Sequence, residues 1–170
     1  MRPARSSREA VVRRATEDDL QDVVRLFRDF SAHQERWRVF PSRADLTEEM
    51  RRRYQAELDD PDALLVVAEE DGRIVGMAAG HIHKPSSMSE ELAVELGSVY
   101  VEPGYRQRGL ASALTSEVAR FARERGVERI TLKTFAQNEE ALRAWERIGF
   151  EPRMIQMTAP VDRLGNLGMA

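Results

Sequence analysis

Two arginines, a glycine and a helix start fall within six residues, Arg106-Gln107-Arg108-Gly109-Leu110-Ala111, and carry the clearest chemistry in the chain. Before them, Ser98-Val99-Tyr100-Val101 reads as the end of a strand and Pro103-Gly104 as a turn. After them, Leu110, Leu114, Val118 and Phe121 recur at helical spacing. A helix start exposes backbone N–H groups and the positive end of the helix dipole. Small residues there, Gly109 and Ala111, let an anion approach the backbone. Arg106 and Arg108 can add charge-assisted bonds to phosphate, each worth on the order of 1.5–3 kcal/mol. Together these features describe a pyrophosphate cradle at a strand–turn–helix junction. Taken singly, Gly109 is equally a plain helix-start glycine and the arginines a solvated surface. No Gly-Lys-Ser/Thr follows the first glycine, so the segment is not a P-loop. It also lacks the three spaced glycines of a dinucleotide-binding turn.

The elements that must position this junction follow from periodicity. Val11-Val12 suggests a short first strand, and Thr16-Glu17-Asp18-Asp19 a capped helix start continuing through Val23, Val24, Leu26, Phe27 and Phe30. Asp45 with Glu48 resembles a capping box for a second helix through about Leu58, with Leu46, Met50 and Tyr54 as its apolar stripe. Leu64 to Ala68 reads as a buried strand, Asp71-Gly72 as a hairpin turn and Ile74 to His83 as the returning strand. Lys84 to Glu90 is a loop and Ala93 to Val101 a further strand. The helix from Leu110 ends at Gly126, Ile130 to Thr134 forms a strand, Asn138 caps a helix that stops at Gly149, and Phe150 to Met157 suggests a last strand. The order β-α-α-β-β-β-α-β-α-β predicts an α+β fold with a mixed sheet.

On these residues the chain resembles the GNAT superfamily of N-acetyltransferases. Residues 106–111 fit the pattern Arg/Gln-x-x-Gly-x-Gly/Ala of its acetyl-CoA pyrophosphate loop. Val99-Tyr100-Val101, then Pro103, Tyr105 and Arg106, precede the loop as in many members. Gly126 to Leu132 looks like the family's next strand. Asn138-x-x-Ala141-x-x-x-Trp145-x-x-x-Gly149-Phe150 resembles its Asn-x-x-Ala…Tyr…Gly-Phe ending. The match runs from about Glu95 to Pro152. It implies a mixed, mostly antiparallel central sheet flanked by helices. It also implies direct transfer of the acetyl group of acetyl-CoA to an amine acceptor, a small molecule or a protein amine, through a ternary complex. A non-catalytic acyl-CoA-binding regulatory module on the same fold is the alternative, and a phosphate-binding scaffold unrelated to CoA a third reading.

The resemblance assigns Val99, Tyr100 and Val101 to the cofactor, with the Val101 N–H as oxyanion donor, placed where charge develops. It assigns Arg106, Gln107, Arg108, Gly109, Leu110, Ala111 and Ser112 to the pyrophosphate. Asn138, Ala141 and Trp145 share one helix face, and the resemblance gives that face to the pantetheine arm, with Asn138 also an N-cap. Neutralising an alkyl ammonium at pH 7 costs about 4.6 kcal/mol, so a base is useful. Glu95 stands where the histone-type branch places its glutamate base. His81 or His83, on one face of the preceding strand, or water are the alternatives. A zinc pair at the two histidines lacks a third ligand. Trp145 is a departure, because many members carry Tyr there and an indole N–H is not a usable acid. The acceptor is expected against the first two helices with their loop, His33 to Arg38, and the Lys84–Glu91 connection.

Composition limits the other classes. The 170 residues are 42% hydrophobic and 32% charged, which suits one globular domain. A net charge of −3 argues against a nucleic-acid partner. With no cysteine, a disulfide, a thiolate zinc site and a thiol acyl-enzyme are all excluded on this chain. No apolar run approaches the roughly 20 residues of a membrane span. The expected organisation is a disordered tail over 1–8, a single domain over 9–160 and a C-terminal tail over 161–170. The expected setting is cytoplasmic, and the resemblance implies a homodimer.

Overall fold

In this computed structural model the chain is described over residues 10–84 and 90–165. The expected tail 1–8, residues 85–89 of the expected loop and residues 166–170 lie outside the described residues. The described chain divides into two compact units between Gln137 and Asn138.

In the first unit, β1 (Val11–Arg14) leads through a 3-10 turn, Glu17–Asp19, into α1 (Leu20–Gln34). The predicted cap forms: Asp19 Oδ2 accepts from the Thr16 N–H at 2.8 Å and from its hydroxyl at 3.0 Å. α2 (Leu46–Glu57) starts where predicted, but without the predicted capping box. The Asp45 carboxylate is instead taken by Arg43 in two bonds of 2.9 and 2.7 Å, a bidentate pair that competes with the helix N–H groups. Tyr54, the last residue of the predicted stripe, is fully buried, with Leu46 and Met50 packed beside the same core.

β2 (Ala63–Glu70) and β3 (Arg73–His83) form a hairpin across Asp71 and Gly72, whose φ values of 52° and 78° suit the right-handed twist of the strands. β4 (Ala93–Val101) lies antiparallel to β3. α3 (Leu110–Glu124) then crosses over to β5 (Ile130–Leu132), which pairs parallel to β4. Among the described residues the sheet order is β1-β2-β3-β4-β5, a mixed and mostly antiparallel sheet as predicted. α1 and α2 share a core with Leu65, Val67, Met77, Ala79 and Tyr100. α3 covers the other face, where Gly80 makes room for it: a Cβ there would lie 3.0 Å from Val118 and 3.1 Å from Val94.

The second unit holds α4 (Glu139–Ile148) and the short α5 (Val161–Gly165), the latter within the expected tail. Asn138 Oδ1 accepts from the Ala141 N–H at 3.1 Å, and Gly149 ends α4 at a φ of 114°. The Trp145 and Phe150 rings meet edge to face at 5.5 Å. The last strand predicted over Phe150 to Met157 does not form. Met154, Ile155 and Met157 supply strand propensity, but a strand also needs a ladder partner. These three side chains are instead 81–91% exposed.

Candidate active site

Glycine inside a strand signals a bulge, and β4 contains one. The β3–β4 register pairs Ala79 with Ser98 but Gly80 with Leu96, leaving Gly97 as the extra residue. Pairing of β4 with β5 runs only from Val94/Ile130 to Leu96/Leu132. From Gly97 to Val101, β4 therefore continues with no strand on its β5 side among the described residues. The Glu102 N–H donates to the Val75 carbonyl at 2.9 Å. Antiparallel alternation then turns the N–H groups of Ser98 and Tyr100 toward β3, and those of Val99 and Val101 toward the open edge.

β4 runs directly into the basic bend. A 3-10 turn, Pro103–Tyr105, follows it, so Tyr105 lies in the turn. Gln107 and Gly109 both take positive φ, 61° and 78°, which turns successive N–H groups to one side. A Cβ built on Gly109 would meet nothing within 4 Å, so space above the bend is open. Leu110 is buried beneath it, and Ser112 on the first turn of α3 is exposed. Both arginines already have protein partners. Arg106 Nε donates to the Val101 carbonyl at 3.0 Å, and its guanidinium lies 5.5 Å from the Tyr100 ring centre. Arg108 pairs with Glu70 at 2.8 Å. The Arg106 backbone N–H is taken by the Pro103 carbonyl at 3.4 Å, so the unshared donors of this bend among the described residues are the backbone N–H groups after Arg106 and the guanidinium hydrogens left over by the bonds to Val101 and Glu70. Glu102 braces the junction between Arg25 at 2.5 Å and Arg73 at 2.9 Å. Burial alone would raise its carboxyl, but the two guanidinium bonds win and hold it below the ordinary range.

Glu95 precedes the bulge and is half-buried. Lys133 Nζ is 3.4 Å from both of its oxygens, His83 Nε2 is 3.4 Å from Oε2, and His81 sits opposite it in the register. Arg53 on α2 also acts on it electrostatically and reaches over Gly97. The Tyr54 hydroxyl donates to Ser98 Oγ at 3.3 Å. Burial pushes that hydroxyl well above the tyrosine range despite the Ser98 bond, so Tyr54 is no acid at neutral pH. Beyond β5, Phe135 stacks on Trp37 at 6.4 Å, and His33 meets Trp37 at 5.5 Å.

The first unit thus brings together Glu95, Val99, Tyr100, Val101 and residues 106–112 on one continuous strand–turn–helix path. Asn138, Ala141 and Trp145 lie on α4 of the second unit, where the Asn138 oxygen is engaged in the cap and its amide hydrogens remain as donors. Sequence reasoning missed Arg53, Glu70, Lys133 and Phe135, and named Ser98 only as part of the strand. Only Gly97 carried a readable signal, as a glycine within a strand pattern. No group of three or more His, Cys, Asp or Glu that could hold a metal ion occurs among the described residues. No described helix is long and apolar enough to cross a membrane.

The model of the acetyltransferase (GNAT) family matches residues 30–150. An uncharacterized N-acetyltransferase of Methanocaldococcus jannaschii is 28% identical over 85% of this chain and 62% of its own length. The streptothricin acetyltransferase of Streptomyces lavendulae is 35% identical over 56% of this chain and 48% of its own. The chain therefore spans less than two thirds of the length of these relatives. Among solved structures, a transcriptional regulator of Bacillus halodurans superposes with a TM-score of 0.72 at 25% identity, covering 89% of this chain and 99% of that one. An aminoglycoside N-acetyltransferase in complex with CoA superposes with a TM-score of 0.72 at 20% identity, covering 92% and 97%.

Proposed function

From its place in the acetyltransferase (GNAT) family, to which this chain belongs, we propose that it transfers the acetyl group of acetyl-CoA directly to an amine acceptor in a ternary complex. One observation carries the reading: the unpaired edge of β4 beyond Gly97 runs straight into the open bend at Gly109. An extended pantetheine arm fits such an edge as an added strand would, bonding to the outward N–H and C=O groups of Val99 and Val101. Tyr100 supports that edge from the α1 side, its ring buried against Phe30 at 6.2 Å. The diphosphate fits the backbone N–H groups from Gln107 to Ser112, and Arg106 and Arg108 supply charge through the guanidinium N–H groups that Val101 and Glu70 leave unused.

Glu95 serves as the base on this reading. Strand rise separates Glu95 from Val101 by about 20 Å, but from Val99 by only about 13 Å. Of the two outward N–H groups, Val99's is therefore the better oxyanion donor for a thioester that Glu95's substrate attacks, and Val101's serves the arm further along. Val101 is in addition tied through its carbonyl to Arg106. The attacking nitrogen forms a bond to the acyl carbon and then loses its surplus N–H proton to solvent, while the C–S bond breaks and the sulfur keeps the electron pair. The indole that stands at position 145 where many members carry Tyr is no acid, so solvent protonates the sulfur. A relative named for streptothricin and fold neighbours named for aminoglycosides support an acceptor that bears an amine. The protein is taken as cytoplasmic and homodimeric.

The test is thiol release from acetyl-CoA with a panel of aminoglycosides, streptothricin, amino acids and peptides, beside thermal shift with CoA alone. Stabilisation by CoA with turnover on at least one amine is the expected result. CoA stabilisation without turnover on any amine favours the acyl-CoA-binding module, for which the absence of a tyrosine hydroxyl at Trp145 speaks. No stabilisation at all refutes the CoA site, because at 100 times the dissociation constant binding adds about 2.7 kcal/mol.

A further inference from the structure

His83 ends β3, and nothing in the acyl-donor site uses it. Its Nδ1 lies 3.0 Å from the Lys84 carbonyl oxygen. A carbonyl oxygen only accepts, so Nδ1 carries the hydrogen, and Nε2 holds a lone pair whenever the ring is neutral. That Nε2 is buried and has no hydrogen-bond partner among the described residues. Glu95 Oε2 faces it at 3.4 Å. Two acceptors face each other there before any transfer, and a proton that arrives on either one turns the contact into a hydrogen bond.

We propose that Glu95 and His83 act as one base, with His83 Nε2 as the terminal acceptor of the substrate proton. The proposal rests on the reading of Glu95 as base. The ammonium N–H bond of the acceptor breaks and leaves its electron pair on nitrogen for attack. The proton goes to the Glu95 carboxylate, and His83 Nε2 uses its lone pair to form an N–H bond with the proton that the carboxylate releases. The ring becomes imidazolium, the carboxylate recovers its charge, and nothing is oxidised. The imidazolium then returns the proton to water. Among the described residues, the charged or titratable groups placed around the pair are His81 from β3, Lys133 directly after β5, and Arg53, itself bonded to Glu57, from α2. Lys133 and Arg53 set positive charge beside the carboxylate, whereas the anchored Nδ1–H keeps His83's second nitrogen aimed at it.

Two measurements on the full chain test this. The chain has three histidines, so long-range 15N–1H correlation spectra of 15N-histidine-labelled protein can be assigned with His33→Gln and His81→Gln. The neutral His83 ring is expected as the Nδ1–H tautomer; an Nε2–H tautomer overturns the proposal without touching the acetyl-transfer reading. The second measurement is turnover of acetyl-CoA with the best amine of the panel. His83→Gln places an amide donor near the former Nε2, which still orients Glu95 but accepts no proton. Its kcat is expected to fall about 100-fold at little change in KM, and Glu95→Gln with His83→Gln is expected to be no slower than Glu95→Gln alone. Unchanged kcat in His83→Gln, or losses that multiply in the double variant, overturns the proposal and leaves Glu95 as base. Absence of turnover by the unmodified protein with every amine sinks the acetyl-transfer reading, and this one with it.

Discussion

Replacement of Gly109 separates the backbone role of the bend from its role toward an anion. At a φ of 78°, any residue with a Cβ is strained there, at a cost of about 1–2 kcal/mol. The Cβ itself meets nothing within 4 Å, so Gly109→Ala adds strain without filling the bend. Gly126 is a matched control: its φ is 68°, its Cβ also meets nothing, and it lies at the far end of α3. Gly109→Glu adds a carboxylate where the diphosphate is proposed to sit. At about 6 Å and an effective dielectric near 20, each like-charge pair costs about 2.8 kcal/mol, roughly a hundredfold in affinity. Calorimetric titration with CoA should therefore rank Gly126→Ala with the unmodified protein, Gly109→Ala slightly weaker and Gly109→Glu weaker again by about two orders of magnitude. All three variants should lose similar thermal stability. The gap between the alanine and glutamate variants should narrow at high salt, as screening requires. If Gly109→Glu binds CoA within threefold of Gly109→Ala, no anion sits at this bend.

Glu95→Gln should lower kcat/KM by about 100-fold at pH 6.5, with the deficit shrinking toward pH 9.5 as free amine becomes abundant; a deficit constant across that range removes Glu95 as base. Gly80→Ala should destabilise by about 1–3 kcal/mol, because its Cβ would press on two fully buried valines, Val94 and Val118, and a urea melt within 0.5 kcal/mol of the unmodified protein contradicts that packing. Arg13, at 2.6 Å and helped by Thr16 against burial, lowers the Asp19 carboxyl from 3.8 to about 2. A carboxyl depressed on folding stabilises above its unfolded value and loses that as pH falls through the folded one, so about 2 kcal/mol should vanish between pH 4 and pH 2. Asp19→Asn should flatten that acid limb, and urea melts across the range would expose an unchanged slope.

The legible parts of the fold were those governed by local rules. Asp71-Gly72 tolerates positive φ and therefore made a hairpin; Gly126 and Gly149 ended their helices for the same reason. The stripe of Leu110, Leu114, Val118 and Phe121 buried the face its spacing described. Where a local signal met a competing partner, it misled. Asp45 turned to Arg43 rather than to its helix, and Met154, Ile155 and Met157 had the propensity of a strand without one to pair with. At the site, the type and spacing of residues 106–112 located the bend, but not that Arg106 and Arg108 are already bonded to Val101 and Glu70.

The sequence by itself determined the helix starts and stops, the hairpin turn, the absence of thiol chemistry and the position of the basic bend, because each depends on neighbours a few residues apart. Only the tertiary structure decided that β5 leaves β4 after Leu96, that Gly97 is bulged, and that His83 from the end of β3 and Lys133 from just past β5 converge on Glu95. Those facts depend on register and on the divergence of strands joined through a helix, which separations of 12 and 38 residues along the chain do not encode.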